Sequence, residues 1–554
     1  MERAQSVPLE VEVMVVGAGP AGLSMALELG LHGRRCLVIE GQARTGLAPR
    51  AKTTNVRTRE LMRRWGMADR LAQLAPFGVD YPSDVVFASS MVGPELARFH
   101  NAMYCSPRRD DRFSEHAQWI PQYKVEQALR ERALAFPGVS LSEPTRLVSF
   151  SQDGEGVLAQ LQDGEGGRSW QVRARYLVGA DGARSTVREL LGIRMDGTSP
   201  LGQHRNYIFH APGLAGRTPL GPGVMYWLVN DRFPAVVAPL DAGDLWTFGC
   251  PRGAVSGDPA DMIRSAMGLD IELEILTEDD WTAHELIARQ YRQGRVFLVG
   301  DACHLHPPFG GHGMNMGIGD SVDLGWKLHA TLAGWGGPRL LDSYEIERRQ
   351  VHRRVVDESV SNHRHLSSSF YAPGLAAPGP QGDALRASTR ERILASKRPE
   401  FDSLGIVIGY HYERSPVLLR EVADEPERQP AAPYQPSARP GCRSPHAWLS
   451  AGRGEGASLF DHYDPSGMTL LATGARVTDE MRRLAADAAA AGIPLRCIAP
   501  EAAGLAELFG ADYALIRPDH HVAWRGDDLD RAALALRVAC GQAVQSPQSA
   551  TQPA

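Results

Sequence analysis

The sequence predicts an α/β protein: a Rossmann-like dinucleotide-binding domain with an inserted mixed β-sheet domain, plus a small α/β domain towards the C-terminus. Three observations carry that expectation. Residues 11–40 read strand, glycine turn, helix, strand around GAGPAG. From about 145 to 290, short β-rich runs alternate with turn residues. Residues 446–541 return to strand–helix–strand.

Taken in order, VEVMVVGAG is an apolar strand ending in glycine, PAGLSMALELGLHG is a helix closed by Gly33, and RRCLVIE is a strand ending on Glu40. YLVGAD, MYWLVN, AVVAPL and LWTFGC suit a mixed or antiparallel sheet. RVFLVGDA is again a strand; it leads through a glycine-rich loop into SVDLGWKLHATLAG and LLDSYEIERRQVHRRVVDESV, both helical in pattern. Proline and glycine crowd 372–384 and 424–445 and mark linkers, with GIVIGYHY between them read as a strand. MTLLATG, a helix over TDEMRRLAADAAAAG, IPLRCIAP, YALIRP and HVAWRG make the last domain. The expected boundaries are therefore 10–180 with 285–370 for the dinucleotide domain and 181–284 for the inserted sheet. A linker region over 371–445, the last domain over 446–541 and a disordered tail over 542–554 complete the chain.

Composition excludes several classes. The 554 residues carry 59 Lys+Arg against 65 Asp+Glu, a formal charge of −6, so nothing draws the chain to nucleic acid or an anionic membrane. No apolar run is long enough to span a bilayer, and MERAQSVPLEVEV has no signal-peptide pattern. Seven scattered cysteines without CxxC argue against a zinc ribbon or a disulfide framework. A soluble, cytoplasmic protein is expected, with a homodimer left open.

Three constellations carry chemistry. In GAGPAG, Gly17 permits the tight turn, Gly19 lets a pyrophosphate approach and Gly22 lets the helix pack on the strand. Glu40 at the next strand end suits a ribose with a free 2′-OH, hence FAD or NAD. In YLVGADGARSTVR, a strand delivers Asp181 and Gly182 into a turn, and Arg184 and Ser185 open a helix. In GDACHLHPPFGGHGMNMGIGDSVDLGWKL, Asp301 ends a strand, two prolines stiffen the loop, and Gly310, Gly311 and Gly313 bare the backbone of a helix start.

In this order the three motifs resemble the class A flavoprotein monooxygenases, the family of para-hydroxybenzoate and phenol hydroxylases, over about residues 10–360. The resemblance implies that Gly17, Gly19, Gly22 and Glu40 hold the ADP half of FAD, bound non-covalently. It implies that Arg50 approaches the FAD phosphates, that Gln122 reaches the ribityl chain, and that Asp181 is the DG aspartate. Asp301 would bind a ribityl hydroxyl, and the loop through Pro307, Pro308, Gly311, Gly313, Met314 and Asn315 would lie along the isoalloxazine. Tyr226 and Trp227 lie on the substrate-facing wall, one towards substrate and one towards the core; with Pro307 they are the candidates nearest catalysis, and no base is named. The last domain resembles the thioredoxin-like domain of the longer members but lacks their redox pair, with Cys497 and Cys540 far apart.

The implied activity is hydroxylation of a phenolic or polycyclic aromatic through a flavin C4a-hydroperoxide, with NAD(P)H, NADPH favoured, and O₂ as co-substrates. Baeyer–Villiger oxidation, epoxidation or antibiotic inactivation on the same fold, or a non-catalytic FAD protein, are the alternatives. His304 and His306 beside Cys303 invite a metal, but their place in the flavin loop means none is expected. Arg348, Arg349, Arg353 and Arg354, interleaved with acids, read as a solvated helix face.

Overall fold

The computed structural model describes residues 8–42, 51–164, 166–255, 257–420, 428–449, 457–474 and 476–542. Arg50, residues 424–427 of the second linker and the tail beyond Gln542 lie outside them.

The strand Leu9–Val16 is central to the first sheet because its run VMVV is apolar on both faces, and Val13, Met14 and Val15 are fully buried. It pairs in parallel with Ser169–Gly179 on one side and Cys36–Ile39 on the other. Val296–Leu298 extends the sheet beyond Ser169–Gly179, and Val139–Ser142 closes the other side. The carboxyl ends of four parallel strands thus reach one rim, where the chain passes into GAGPAG, Glu40, Asp181 and Asp301. Open α/β sheets bind their ligands at such a rim. The first helix, Pro20–Leu31, starts with proline at its first position and packs against the loop helix, Gly313–Ala333.

The second sheet runs His304–Leu305, Glu274–Ala288, Met195–His210, Leu245–Pro251, Ala235–Pro239, Met225–Leu228, Val85–Ala88, Glu95–Phe99. Its last two strands come from within 10–180, the stretch assigned by sequence to the dinucleotide domain. Val85–Ala88 pairs in parallel with Met225–Leu228, and no local pattern announces a partner about 140 residues away.

The first linker leads into a helix. Pro380–Phe401, here the cover helix, follows Gly379 and buries Ile393, Lys397 and Phe401 over the second sheet. GIVIGYHY is not a strand: Leu404–Val407 is a helical turn with all four residues buried. A short apolar run fixes burial, while the conformation is set by what surrounds it.

In the third sheet Met468–Ala472 pairs in parallel with Leu495–Ile498 and antiparallel with Tyr513–Ile516, which pairs with Val522–Gly526. With the helices Asp479–Ala490 and Leu529–Ala539 this is a small α/β domain. Buried ion pairs tie it to the rest: Arg517 grips Glu347 at 2.6 Å and Asp323 at 2.9 Å, and Lys327 joins both acids.

Candidate active site

The three motifs meet at the rim of the first sheet. Gly17 has φ +106°, and a β-carbon there would stand 2.4 Å from the Ala180 carbonyl oxygen; at Gly22 it would stand 1.9 Å from the Gly17 oxygen. Only glycine fits either place. Glu40 accepts from the Ala18 amide at 2.8 Å, so the strand-end acid also braces the turn. The first helix begins at Gly19 with no capping side chain and no acid in its first turn, leaving its amides to an anion.

Asp181 lies directly behind Gly17. Its carboxylate accepts from the Ser185 hydroxyl at 2.5 Å and the Val187 amide at 3.0 Å, capping the short helix that follows. Burial outweighs these bonds and raises its pKa. Arg188 of the same motif donates to the Ala302 carbonyl at 2.9 Å, joining this turn to the one that presents Asp301 at the surface. Gln122, at the start of its helix, donates to Glu126 at 2.8 Å. Sequence reasoning missed Arg188, although it stands inside the quoted motif.

The loop from His306 to Asn315 is shaped by its own side chains. Asn315 donates to the Thr53 carbonyl at 3.0 Å and the Gly311 carbonyl at 2.6 Å, and accepts from the Asn55 amide at 3.0 Å. Its side chain is therefore a brace, and what it and Met314 offer outward is backbone. Gly311 has φ +67°; Gly313 is helical. The loop helix, like the first helix, begins without a capping side chain or an early acid. Pro307 is buried and Pro308 exposed. The His306 Nδ1 donates to the Pro307 carbonyl at 2.8 Å, which leaves Nε2 as a bare acceptor. Burial, with the nearby His304, lowers the His306 pKa to about 3, and burial alone lowers His312 to about 4, so both rings are neutral.

Behind the loop lies a buried group the sequence did not assign. Asp320 accepts from the Gly300 amide at 3.0 Å and pairs with His304 at 3.0 Å, His352 at 2.7 Å and Arg348 at 2.7 Å. Burial would push its carboxyl up, but His352 and Arg348 prevail and hold it well below the usual range. Cys303, His304, Asp320 and His352 bring their donor atoms within 4.8 Å of one another. Each of them already has a protein partner: Cys303 donates to the Gly300 carbonyl, His352 meets the Tyr291 hydroxyl, and Arg348 supplies the positive charge a metal would bring. The arrangement fixes the Gly300 turn. Arg348 is thus no part of a solvated face, and neither is Arg354, which donates to the Gly405 and Gln429 carbonyls. A helical charge pattern does not show that the matching acid lies on another helix.

Strand register separates Tyr226 from Trp227. Tyr226 stands opposite Val237, which stands opposite Phe248, on the face packed into the sheet's own core; its hydroxyl donates to the Gly221 carbonyl. Trp227 stands opposite Val236, then Gly249, then Asn206, on the face towards the loop. Phe87 stacks on Trp227 at 5.2 Å, Phe309 of the loop lies 6.1 Å away, and the Lys397 ammonium sits 4.2 Å from its ring centre. An aromatic wall therefore faces the glycine-rich loop.

Family models match this chain as an FAD binding domain over residues 10–359 and as the C-terminal part of aromatic-ring hydroxylases over 437–547. The chain belongs to the class A FAD-dependent aromatic monooxygenases, and it is an enzyme of that family. Among relatives, the tetracenomycin A2 monooxygenase-dioxygenase of Streptomyces glaucescens is 33% identical over 582 residues, covering 96% of each chain. Among solved structures, the rebeccamycin biosynthetic enzyme RebC with reduced flavin superposes with a TM-score of 0.88 at 33% identity, covering 97% of this chain and all of that one. The flavin-dependent monooxygenase PieE, in complex with FAD and substrate, gives 0.87 at 30% identity, covering 98% and 100%.

Proposed function

We propose that this enzyme consumes NAD(P)H and O₂ to hydroxylate a phenolic or polycyclic aromatic compound. The observation that carries the reading is the meeting of two uncapped helix N-termini at one rim with an aromatic wall opposite the second of them. The residues fit FAD. Gly17, Gly19 and Gly22 leave room for a pyrophosphate on the first helix, and Glu40 stands at the ribose end. Gln122, Asp181 and Asp301 line the path of the ribityl chain; Arg50 would join the phosphates. Amides at Gly313, Met314 and Asn315 offer donors where negative charge gathers on a reduced ring. Bound FAD supplies the activated oxygen; the protein positions, polarises and excludes water. Trp227, buried against Phe87 and Lys397, backs the wall, and Pro307 stiffens the loop between substrate and ring.

The similar relatives are named for substrates as different as 2,4-dichlorophenol, tetracenomycin A2 and aklavinone, which puts both phenols and hydroxyquinones into the screen. No described helix is long and apolar enough to cross a membrane, and all seven cysteines are free thiols, which supports a reducing, cytoplasmic setting. The test is FAD release on denaturation, followed by a screen of phenols and hydroxyquinones for stimulated NADPH oxidation with mass detection of the oxygenated product. A folded protein that takes up no FAD overturns the reading. FAD uptake with no stimulated oxidation by any of them leaves a flavoprotein of other chemistry.

A further inference from the structure

At the far end of the aromatic wall, buried polar atoms lie near one another with no hydrogen-bond partner among the described residues. His204 on Met195–His210 is 7% exposed, and its Nε2 has no hydrogen-bond partner among the described residues. Trp281, directly across the strand pair, stacks on the His204 ring at 4.3 Å, and its indole N–H is likewise unpaired. His363, the last residue of the long helix Pro338–His363, meets His204 edge-on with ring centres 5.8 Å apart, and its Nε2 is also buried and unpaired. A β-carbon on Gly202 would stand 3.2 Å from the His204 Nε2 and 3.4 Å from the His363 Nε2, so both nitrogens converge over bare backbone. Phe309 of the loop closes on His363 at 5.4 Å, and the Lys397 ammonium stands 5.4 Å from the same Phe309 ring.

Folded chains pair nearly all their buried polar atoms, so three unpaired nitrogens in one place need a ligand's atoms or water. The chemistry of the set narrows the ligand. The indole N–H and the ammonium only donate, and a neutral imidazole can donate or accept. Burial lowers the His204 pKa to about 4 and lowers that of His363, so neither ring carries charge at neutral pH. Lys397 is balanced by Glu400 at 2.7 Å, so no net charge selects a strong anion. What fits is a flat π-system against Phe309 whose edge carries carbonyl and hydroxyl oxygens.

We propose that His204, Trp281, His363 and Lys397 form the subsite that receives the oxygenated edge of a hydroxyquinone-type polycyclic substrate. The proposal rests on the aromatic-monooxygenase reading above and names the part of the wall that selects within it. These residues position the ring; none is assigned the oxygen-transfer step.

The FAD-loaded enzyme is titrated with alizarin, a dihydroxyanthraquinone whose visible band shifts on ionisation, and the dye band is followed beyond flavin absorption. Parent enzyme is expected to bind the dye. His204→Phe and Lys397→Met should each weaken binding about tenfold or more, the loss of one or two hydrogen bonds. His204→Gln and Lys397→Arg should recover most of it, with FAD content unchanged throughout. Because Lys397→Met strands Glu400, the pair Lys397→Met with Glu400→Gln controls for misfolding and should bind as weakly. Unchanged dye affinity in His204→Phe and in that pair overturns the subsite, as does an FAD-loaded parent that ignores alizarin. If the parent still oxidises NADPH with simple phenols, only the subsite falls. Loss of FAD binding by the parent would instead sink the wider reading.

Discussion

Replacing Gly311 and Gly313 separately by alanine tests which part of the loop is fixed by backbone conformation and which by a neighbour. Gly311 sits at φ +67°, and its β-carbon would touch Thr53 at 3.4 Å, an ordinary contact. The cost there is conformational: about 1–2 kcal/mol for an L-residue held left-handed. Gly313 has helical backbone, and its β-carbon would lie 3.8 Å from His306, so the protein itself has no objection to alanine. Helix propensity favours alanine by up to about 1 kcal/mol in a helix interior, less at a first position. FAD-free Gly311→Ala should therefore melt roughly 2–8 °C lower, at about 2–4 °C per kcal/mol for a domain of this size. FAD-free Gly313→Ala should melt with the parent or above it. Its expected defect appears only with FAD: a methyl group between loop and ring weakens binding and raises the H₂O₂ released per NAD(P)H consumed. The assay is a melt of both apo variants, an FAD titration, and peroxide and product measured on one sample. Equal FAD affinity and equal coupling in Gly313→Ala would show that the ring does not lie against this loop. A larger melting loss for Gly313→Ala than for Gly311→Ala would refute the backbone reasoning.

Asp301 stands exposed at its turn, and Asp301→Ala should weaken FAD binding by roughly 1.5–3 kcal/mol, read by titration of the apo-protein; unchanged affinity would remove it from the site. Arg348→Met strands Asp320 among buried groups, and breaking such a pair costs about 3–5 kcal/mol; denaturant midpoints should show the loss, and Arg348→Lys should recover part of it. His312 has a folded pKa of about 4, below its unfolded value, so the folded state binds fewer protons. Its contribution is whole above about pH 6.5 and falls as the pH drops towards 4, by about 1 kcal/mol per unit. Because its Nε2 has no partner among the described residues to lose, His312→Phe should flatten the fall of stability between pH 6 and 4; parallel curves for parent and variant would contradict this.

What the sequence disclosed was local. GAGPAG announces its turn because the glycines, the strand before and the helix after are contiguous, and the clashes at Gly17 and Gly22 show why no other residue serves. Trp227 and Tyr226 were both legible as wall residues, yet which of them faces the loop needed the register with Val236 and Gly249. The strands at 85–88 and 95–99 pair locally with each other, but they join the second sheet because the first of them pairs with Met225–Leu228, far along the chain. Arg348 and Arg354 looked solvated for a related reason: the acid and carbonyls that hold them come from other elements. His204, Trp281 and His363 are separated by tens of residues and share no motif, so only folding assembles them.

The long helix Pro338–His363 is a rod of about 39 Å, and it carries three stations along its length. Near one end Glu347 is clasped by Arg517 from the last domain; next to it Arg348 holds Asp320 and through it the Gly300 turn; at the other end His363 closes the aromatic wall. The last domain thereby grips the same helix that holds the Gly300 turn and the aromatic wall. Cut away, it would leave Glu347 in the protein interior with Lys327 in place of two cations. The C-terminal domain is in this sense the anvil against which the site is set.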